Sequence, residues 1–370
     1  MALAATVHHL SFQKYKMAIY IRATGNISPQ KTFGHAGLLT AAVEHFGNRL
    51  NCVEPDYKTI IDVKLIRRMS RIIKMGVAAA MNCLQEAEVD VPDAIVTGTA
   101  YGCLEDTGVF LKRMVEQDEE LLAPTAFIQS THNTVGAQIA LMLHCNGYNN
   151  VFVHRGFSFE SALLDAMLLL KEGDANNVLV GGMDEITNIS HAILSRFGLY
   201  KREAVSNFNL YKGSSKGTVA GEGAAFFLLT DKASENDYAH LDALTTFYKP
   251  AGINETEEQI LSFLSAQSIS PADIDLVING RNGDARGDTV YSSLEQSVFI
   301  DILSVNYKHL CGEYPTSVAF ALWLAANIIK QGKLPAAFGY SDNHEKEIKR
   351  VLIYNHSQNI HHSLLLISAC

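Results

Sequence analysis

Several things are scarce in this sequence, and each shortage removes a class of protein. The six cysteines (Cys52, Cys83, Cys103, Cys145, Cys311 and Cys370) form no C-x-x-C pair. That spacing suits reduced thiols in a cytosolic protein better than a disulfide framework or a zinc site. No apolar run reaches the roughly 18 residues that a membrane span requires. The opening "MALAATVHHLSFQKYK" is too short, and too interrupted by His, Gln and Lys, for a signal-peptide core. Positive charge is in deficit: 30 Lys and Arg face 39 Asp and Glu, a net charge of −9. This balance argues against a nucleic-acid partner, because phosphate binding needs clustered Lys and Arg. The one basic cluster, "KLIRRMSRIIK" (64–74), has helical spacing and reads as a solvated helix face or a subunit contact. No segment is low in complexity, and no metal or cofactor is implied.

What is present is apolar material. Hydrophobic residues make up 48% of 370, enough for two domains or one large duplicated unit. One pattern occurs twice. "RRMSRIIKMGVAAAMNCLQEAEV" followed by "VPDAIVTGTAYG" matches "NETEEQILSFLSAQSI" followed by "SPADIDLVINGRNG". Each reads as an amphipathic helix, a turn with Pro and acidic residues, a short apolar strand and a glycine-rich strand end. The copies stand about 180 residues apart, which indicates duplicated α/β halves. We expect an N-terminal appendage (1–16), a first half (17–235) and a second half (236–370), joined through the polar stretch 229–244. The runs "NVFVH", "NVLVGG", "GAAFFLLT" and "VLIYN" do not alternate in polarity, so they predict strands covered on both faces. Helices are predicted over "YGCLEDTGVFLKRMVEQDEELL", "SFESALLDAMLLLKEGD" and "SVAFALWLAANIIKQGK". The result is a layered α/β architecture.

Four places could carry chemistry. In "VFVHRGFSFESALLDA" a strand turns at Gly156 into a helix, where many enzymes place a nucleophile. Ser158 is there, but a serine before an apolar-periodic run also reads as a helix N-cap. "GFSFE" lacks the second glycine of a hydrolase elbow. "VINGRNGDARGD" (277–288) offers Asp284 and Asp288, at a spacing unlike a calcium loop. "NYKHLCGEYPTS" (306–317) crowds Lys308, His309, Cys311 and Glu313; an activated thiol or a buried structural cysteine would both fit. "FIQSTHNTVGAQIALML" (127–143) runs from polar residues into a helix of small ones. His132 there reads as a hydrogen-bonded interior or interface histidine, and Gly136, Ala137 and Ala140 permit close packing.

Taken in order, these segments resemble the β-ketoacyl synthase branch of the thiolase superfamily. "VLVGGMDEITNISHAILSRFGLYKRE", "KGTVAGEGAAFFLL" and "RRMSRIIKMGVAAAMNCL" resemble its strand-end, glycine–glutamate and arginine-rich helix motifs, and the likeness spans about residues 17 to 368. The resemblance implies the duplicated five-layer αβαβα fold and an obligate dimer.

It also implies a triad of Cys, His and His, of which the cysteine and the first histidine are absent. The nucleophile position falls on Gly156 and the first histidine position on Gly280. An ungapped overlay of the lysine motif retains Lys308 and puts Glu313 at the second histidine; a shift of four would put His309 there instead. "NHSQNIHHS" (355–363) replaces the family's C-terminal glycine-rich loop. A scaffold without its nucleophile is similar to the chain-length-factor subunit of type II ketosynthase heterodimers, and "FIQSTHNT" and "KHLCGEYPT" are most similar to aryl-polyene systems. The implied partners are an active ketosynthase and, through it, an acyl carrier protein. Gln129, Ser130, Thr131, His132, Asn133, Arg155 and Phe197 are expected at the interface or tunnel. Two rivals remain: an enzyme with relocated chemistry on Ser158 or Cys311, and a module that recruits the carrier protein. Shared acidity weighs against the last.

Overall fold

The computed structural model describes residues 18–34, 39, 41–213, 215–335, 338 and 346–370. The N-terminal appendage therefore lies outside the described residues. From Tyr20, β1 (Tyr20–Ile27) and the two-residue β2 (Phe46–Gly47) lead to α1 (Val63–Ile66) and α2 (Arg71–Ala87). The basic run is thus two helices rather than one, with Ser70 as the cap residue of α2. Then come β3 (Ala94–Gly98), α3 (Leu104–Glu116), α4 (Pro124–Gln129), α5 (Thr134–Leu143), β4 (Tyr148–Phe152), α6 (Ser158–Glu172) and β5 (Asn177–Asp184). The predicted helix over 101–122 is trimmed to α3, and Pro124 starts a separate one. Next in the chain are α7 (Asn188–Arg196), β6 (Val205–Ser206) and β7 (Gly223–Thr230).

The chain then repeats itself. β8 (Ala239–Tyr248), α8 (Ile253–Ala266) and β9 (Leu276–Asn279) retrace β1, α2 and β3. After α9 (Thr289–Glu295), β10 (Leu303–Asn306), α10 (Lys308–Cys311) and α11 (Val318–Gln331), the hairpin of β11 (Arg350–Ser357) and β12 (His361–Ser368) closes the fold. Strand order shows the duplication directly. One half reads β4-β3-β5-β7-β1 and the other β10-β9-β11-β12-β8. In each, three parallel strands are followed by two antiparallel ones. Two residue pairs, Tyr20 with His240 and Ile21 with Ala239, join the halves into one ten-stranded sheet.

Side-chain alternation sets the layers. On β5, Val178 and Val180 face one cluster while Leu179 and Met183 face another. On β11, Val351 and Ile353 face the same central cluster, and Leu352 and Tyr354 face away. The central cluster holds α6 and α11 between the two half-sheets, with α2 and α5 outside one and α8 and α9 outside the other. α11, "VAFALWLAANIIKQ", is buried around its whole circumference up to Ile329. A helix apolar on every face has no solvent side, so it fills the middle layer.

Two distant motifs are bolted together across the first half. Arg71 of α2 donates two 2.6 Å hydrogen bonds to the Glu222 carboxylate of "GEGA". Glu222 also accepts from the backbone N–H groups of Cys52 and Ile186. A fully buried carboxylate is tolerated only with partners of this kind.

Candidate functional site

The strand-to-helix elbow is built as expected, and then it is sealed. A short turn, Arg155–Phe157, links β4 to α6. Arg155 has φ 46°, in the left-handed region that non-glycine residues rarely adopt. Ser158 holds this turn: its Oγ accepts from the His154 N–H at 2.9 Å and donates to the Arg155 carbonyl at 3.0 Å. The serine is therefore a staple inside the elbow rather than the N-cap the sequence suggested. Its hydroxyl is buried and spent on backbone, with no imidazole or carboxylate to activate it.

The tip of the β11–β12 hairpin lies against Gly156. A Cβ at this position would stand 2.8 Å from the Ser357 Cβ and 3.2 Å from the His361 Cβ. His361 packs edge-on against Phe157 at 4.7 Å and Tyr248 at 5.3 Å, so the tip is anchored. The segment "NHSQNIHHS" thus forms a cap over the elbow. Gly280 is equally confined, since a Cβ there would overlap the Asn355 side chain and come 2.7 Å from the Tyr291 hydroxyl. An imidazole there would require the Asn355 and Tyr291 side chains to move.

Glu313 opens on the same cleft as Gly156. Its Oε2 accepts from Lys308 Nζ at 2.5 Å and from Asn282 Nδ2 at 2.7 Å. His309, the other candidate for that position, turns away from the cleft: its ring packs on Tyr211 and Phe338. Burial lowers its pKa to about 4. Cys311 is buried, its Sγ donates to the Gly312 carbonyl, and burial pushes its thiol up. A thiol held protonated is a poor nucleophile. Asp284 is paired with Arg286 at 2.6 Å. Among the described residues, no cluster of His, Cys, Asp or Glu could hold a metal ion.

Sequence reasoning missed the buried acids. Asp184, at the end of β5, accepts from the Thr99 hydroxyl, the Ala100 N–H and both the N–H and hydroxyl of Thr316. It ties β5 to the loop before α11, and burial raises its pKa to about 6. Glu160, in the first turn of α6, has no well-formed hydrogen bond to either carboxylate oxygen. Burial raises it to about 7, with the nearby Ser363 hydroxyl and Lys308 ammonium acting the other way. The signal was present in "FSFESALL": an acidic residue on the apolar face of a core helix.

The expected interface residues lie at the surface of the single chain. His132 and Asn133 are exposed, and Gln129, Ser130 and Thr131 are half-buried. The Gln129 amide donates to the Arg68 carbonyl. His132 is not interior; it packs on Gly102. Exposed apolar side chains surround this segment, among them Phe127, Ile128 (62% exposed) and Leu141 (69%). Phe197 (75% exposed) continues a separate stripe on α7 with Ile189 and Ile193. Arg155 stands at the mouth of the elbow cleft, which has a volume of about 380 Å³. A groove of about 610 Å³ between Pro271 and Ile302 lies on the opposite half, away from the elbow. No helix among the described residues is long and apolar enough to cross a membrane.

The duplicated five-layer αβαβα arrangement, with an elbow facing a C-terminal hairpin, is a thiolase-like fold. Known proteins agree. Residues 51–195 match the family described as beta-ketoacyl synthase, N-terminal domain. Over 181 residues the chain is 22% identical to 3-oxoacyl-(acyl-carrier-protein) synthase 2 of Staphylococcus aureus strain N315. That match covers 46% of this chain and 43% of the relative, so it spans less than half of either. The solved ishigamide ketosynthase/chain length factor superposes with a TM-score of 0.76 at 17% identity, over 96% of this chain and all of that one. The ketosynthase ApeO in complex with its chain length factor ApeC, from Xenorhabdus doucetiae, gives 0.71 at 15%, over 96% and 98%. A β-ketoacyl synthase from Burkholderia phymatum gives 0.75 at 14%, over 96% and 100%. The chain thus shares the fold of these ketosynthases, and residues 51–195 carry the sequence likeness to their N-terminal domain.

Proposed function

We propose that the chain is a non-catalytic, chain-length-factor-like subunit. It pairs with an active β-ketoacyl synthase of type II fatty acid or polyketide synthesis and shapes the tunnel that receives the growing acyl chain. The observation that carries this reading is the sealed elbow, where the Ser357 Cβ stands 2.8 Å from the position a Cβ on Gly156 would take. Glycine has no side chain to attack a thioester, and the cap leaves a cysteine no space. The scaffold survives while its nucleophile site has been filled. Selection for a partner's sake accounts for both.

Ser158 and Cys311 do not support a self-sufficient enzyme, because one hydroxyl is spent on backbone and the other residue's thiol is buried and protonated. The edge strand β4 pairs only with β3 among the strands described. An uncovered edge flanked by exposed Ile128 and Leu141 is suited to meeting a second chain. Gln129, Ser130, Thr131, His132, Asn133 and Phe197 belong to the partner contact or its tunnel, where close-packed side chains limit chain length. Arg155, grouped with them by sequence, opens on the chain's own cleft. Carrier protein reaches the complex through the ketosynthase, in the cytoplasm, and the pathway class is of the aryl-polyene type.

The test is reconstitution. The chain alone should release no carbon dioxide and form no ketoacyl product from malonyl and acyl carrier-protein thioesters. Added to a cysteine-bearing ketosynthase from the same gene neighbourhood, it should co-elute as a heterodimer and restore condensation. Turnover by the chain alone that is lost in Ser158→Ala or Cys311→Ala would overturn the reading.

A further inference from the structure

The cleft beside Gly156 has lost its nucleophile but keeps an organised set of polar groups that nothing within the chain satisfies. Among the described residues, the Arg155 guanidinium has no ion pair or hydrogen bond. The hydroxyls of Tyr101 and Tyr200 also lack hydrogen-bond partners, and all three residues line the cleft. The Tyr101 hydroxyl lies within electrostatic reach of Asp184 and Arg155, and that of Tyr200 within reach of Glu313, Tyr101 and Asp184. Both tyrosines are half-buried, and their hydroxyls face the cleft free to bond water or a ligand. Leu194, Leu199 and Pro315 supply apolar wall between them.

The charge balance of the cleft is uneven. The Asp284 carboxylate is paired with Arg286 at 2.6 Å, and Glu313 with Lys308 at 2.5 Å. Asp184 lies behind the tyrosines with four donors already on its oxygens. Burial holds His356 near 3 and lowers His361, so both imidazoles are neutral at pH 7. Arg155 is the one cation on the cleft lining without a carboxylate partner among the described residues, in a chain whose net charge is −9. It is carried by a residue held at φ 46° by the two Ser158 bonds. Arg155 is exposed, and its fixed backbone presents an unpaired guanidinium at the mouth of a concave site, which is a reason to look for a ligand.

We infer that this cleft binds a small monocarboxylic acid, its carboxylate on Arg155 with the tyrosine hydroxyls of Tyr101 and Tyr200, and its apolar body against Leu194, Leu199 and Pro315. Arginine and two hydroxyls match a carboxylate in charge and in donor count. An alcohol or an amine of the same shape would leave Arg155 unpaired or repelled. The inference stands apart from the proposed subunit role, since it concerns binding by this chain and not condensation by a partner.

The experiment is a titration of the full chain, with any co-purifying subunit retained, using benzoate and hexanoate as probes and benzyl alcohol and hexanol as uncharged controls. Calorimetry and saturation-transfer NMR at low salt should show saturable binding of at least one acid and none of its alcohol. Arg155→Gln should weaken that binding by about tenfold or more, as loss of a charge-assisted pair does. Arg155→Lys should retain most of it, and Tyr200→Phe should weaken it several-fold. Circular dichroism establishes that each variant is folded. Should Arg155→Gln fail to fold, Arg155→Lys and Tyr200→Phe still decide. Equal binding of acid and alcohol, unchanged binding in Arg155→Gln, displacement by chloride at equal concentration, or no saturable binding of either acid would each overturn the inference.

Discussion

Glu160 is a carboxyl with nowhere to put its charge. Burial raises its pKa from 4.5 to about 7, so the folded protein holds a proton that the unfolded chain releases near its ordinary value. Stability from such a group is complete below about 4.5 and is lost as pH rises through 7, at a cost of about 3 kcal/mol on the alkaline side. Urea unfolding at pH 5 and pH 8 should show Glu160→Gln close to wild type at the lower pH and more stable at the higher. Equal differences at both would mean that the carboxyl titrates normally. The histidines act in the opposite sense. Burial holds His309 near 4, His356 near 3 and His362 near 4. Their contribution is full above about 6.5 and fades as pH falls toward 4, because protonation then favours the unfolded chain. Gly156 is a matter of space. Gly156→Cys should lower stability by about 1–3 kcal/mol, the usual result of overpacking, and should not produce condensing activity. A stable, active Gly156→Cys protein would show that the hairpin tip yields.

The elements are joined by a few specific contacts. α2 crosses the first half-sheet and is fixed to "GEGA" by Arg71 and Glu222, with Glu222 wholly buried. Removing the arginine leaves that carboxylate uncompensated, so Arg71→Met should cost about 3 kcal/mol in chemical denaturation. Replacing both residues with apolar ones should cost less than the single change, and an additive result would show that the pair is not coupled. The β11–β12 hairpin works differently. Its tip is held over the elbow by aromatic contacts of His361 and by the Lys249 N–H donating to the Ile360 carbonyl at 2.7 Å. One short hairpin therefore both stands where the resemblance implies a glycine-rich loop and closes against Gly156.

For the whole molecule, the surface near α4 and α5 decides the reading. Ile128 and Leu141 are exposed in the single chain, so changing them to glutamate should leave the melting temperature of the isolated chain within about 2 °C. The same double change should weaken association with an active ketosynthase by at least about tenfold if the face is an interface, because buried apolar area and its hot spots govern such contacts. Unchanged co-elution from a sizing column would place the interface elsewhere.

Local chemistry alone determined a good part of this protein. Helix and strand periodicity, read from segments such as "GAAFFLLT" and "VAFALWLAANIIKQ", are properties of neighbouring residues, and so is the twofold helix–turn–strand pattern. They led to the layered α/β fold and its duplication. The absence of a cysteine at the elbow is likewise visible without coordinates, since Gly156 is a glycine in any fold. What lay beyond the sequence depends on residues far apart in the chain. Ser357 and His361 reach Gly156 from about 200 positions away in the chain, a distance no periodicity spans. Arg71 meets Glu222 only because α2 lies across β7. Ser158 looked like a helix cap because its sequence neighbours fit one; the turn's backbone decided its bonds instead. The pairing of Glu313 with Lys308 and the unpaired state of Arg155 are sums over a three-dimensional neighbourhood. Charge balance and close approach are set by tertiary packing, so only the folded chain fixed them.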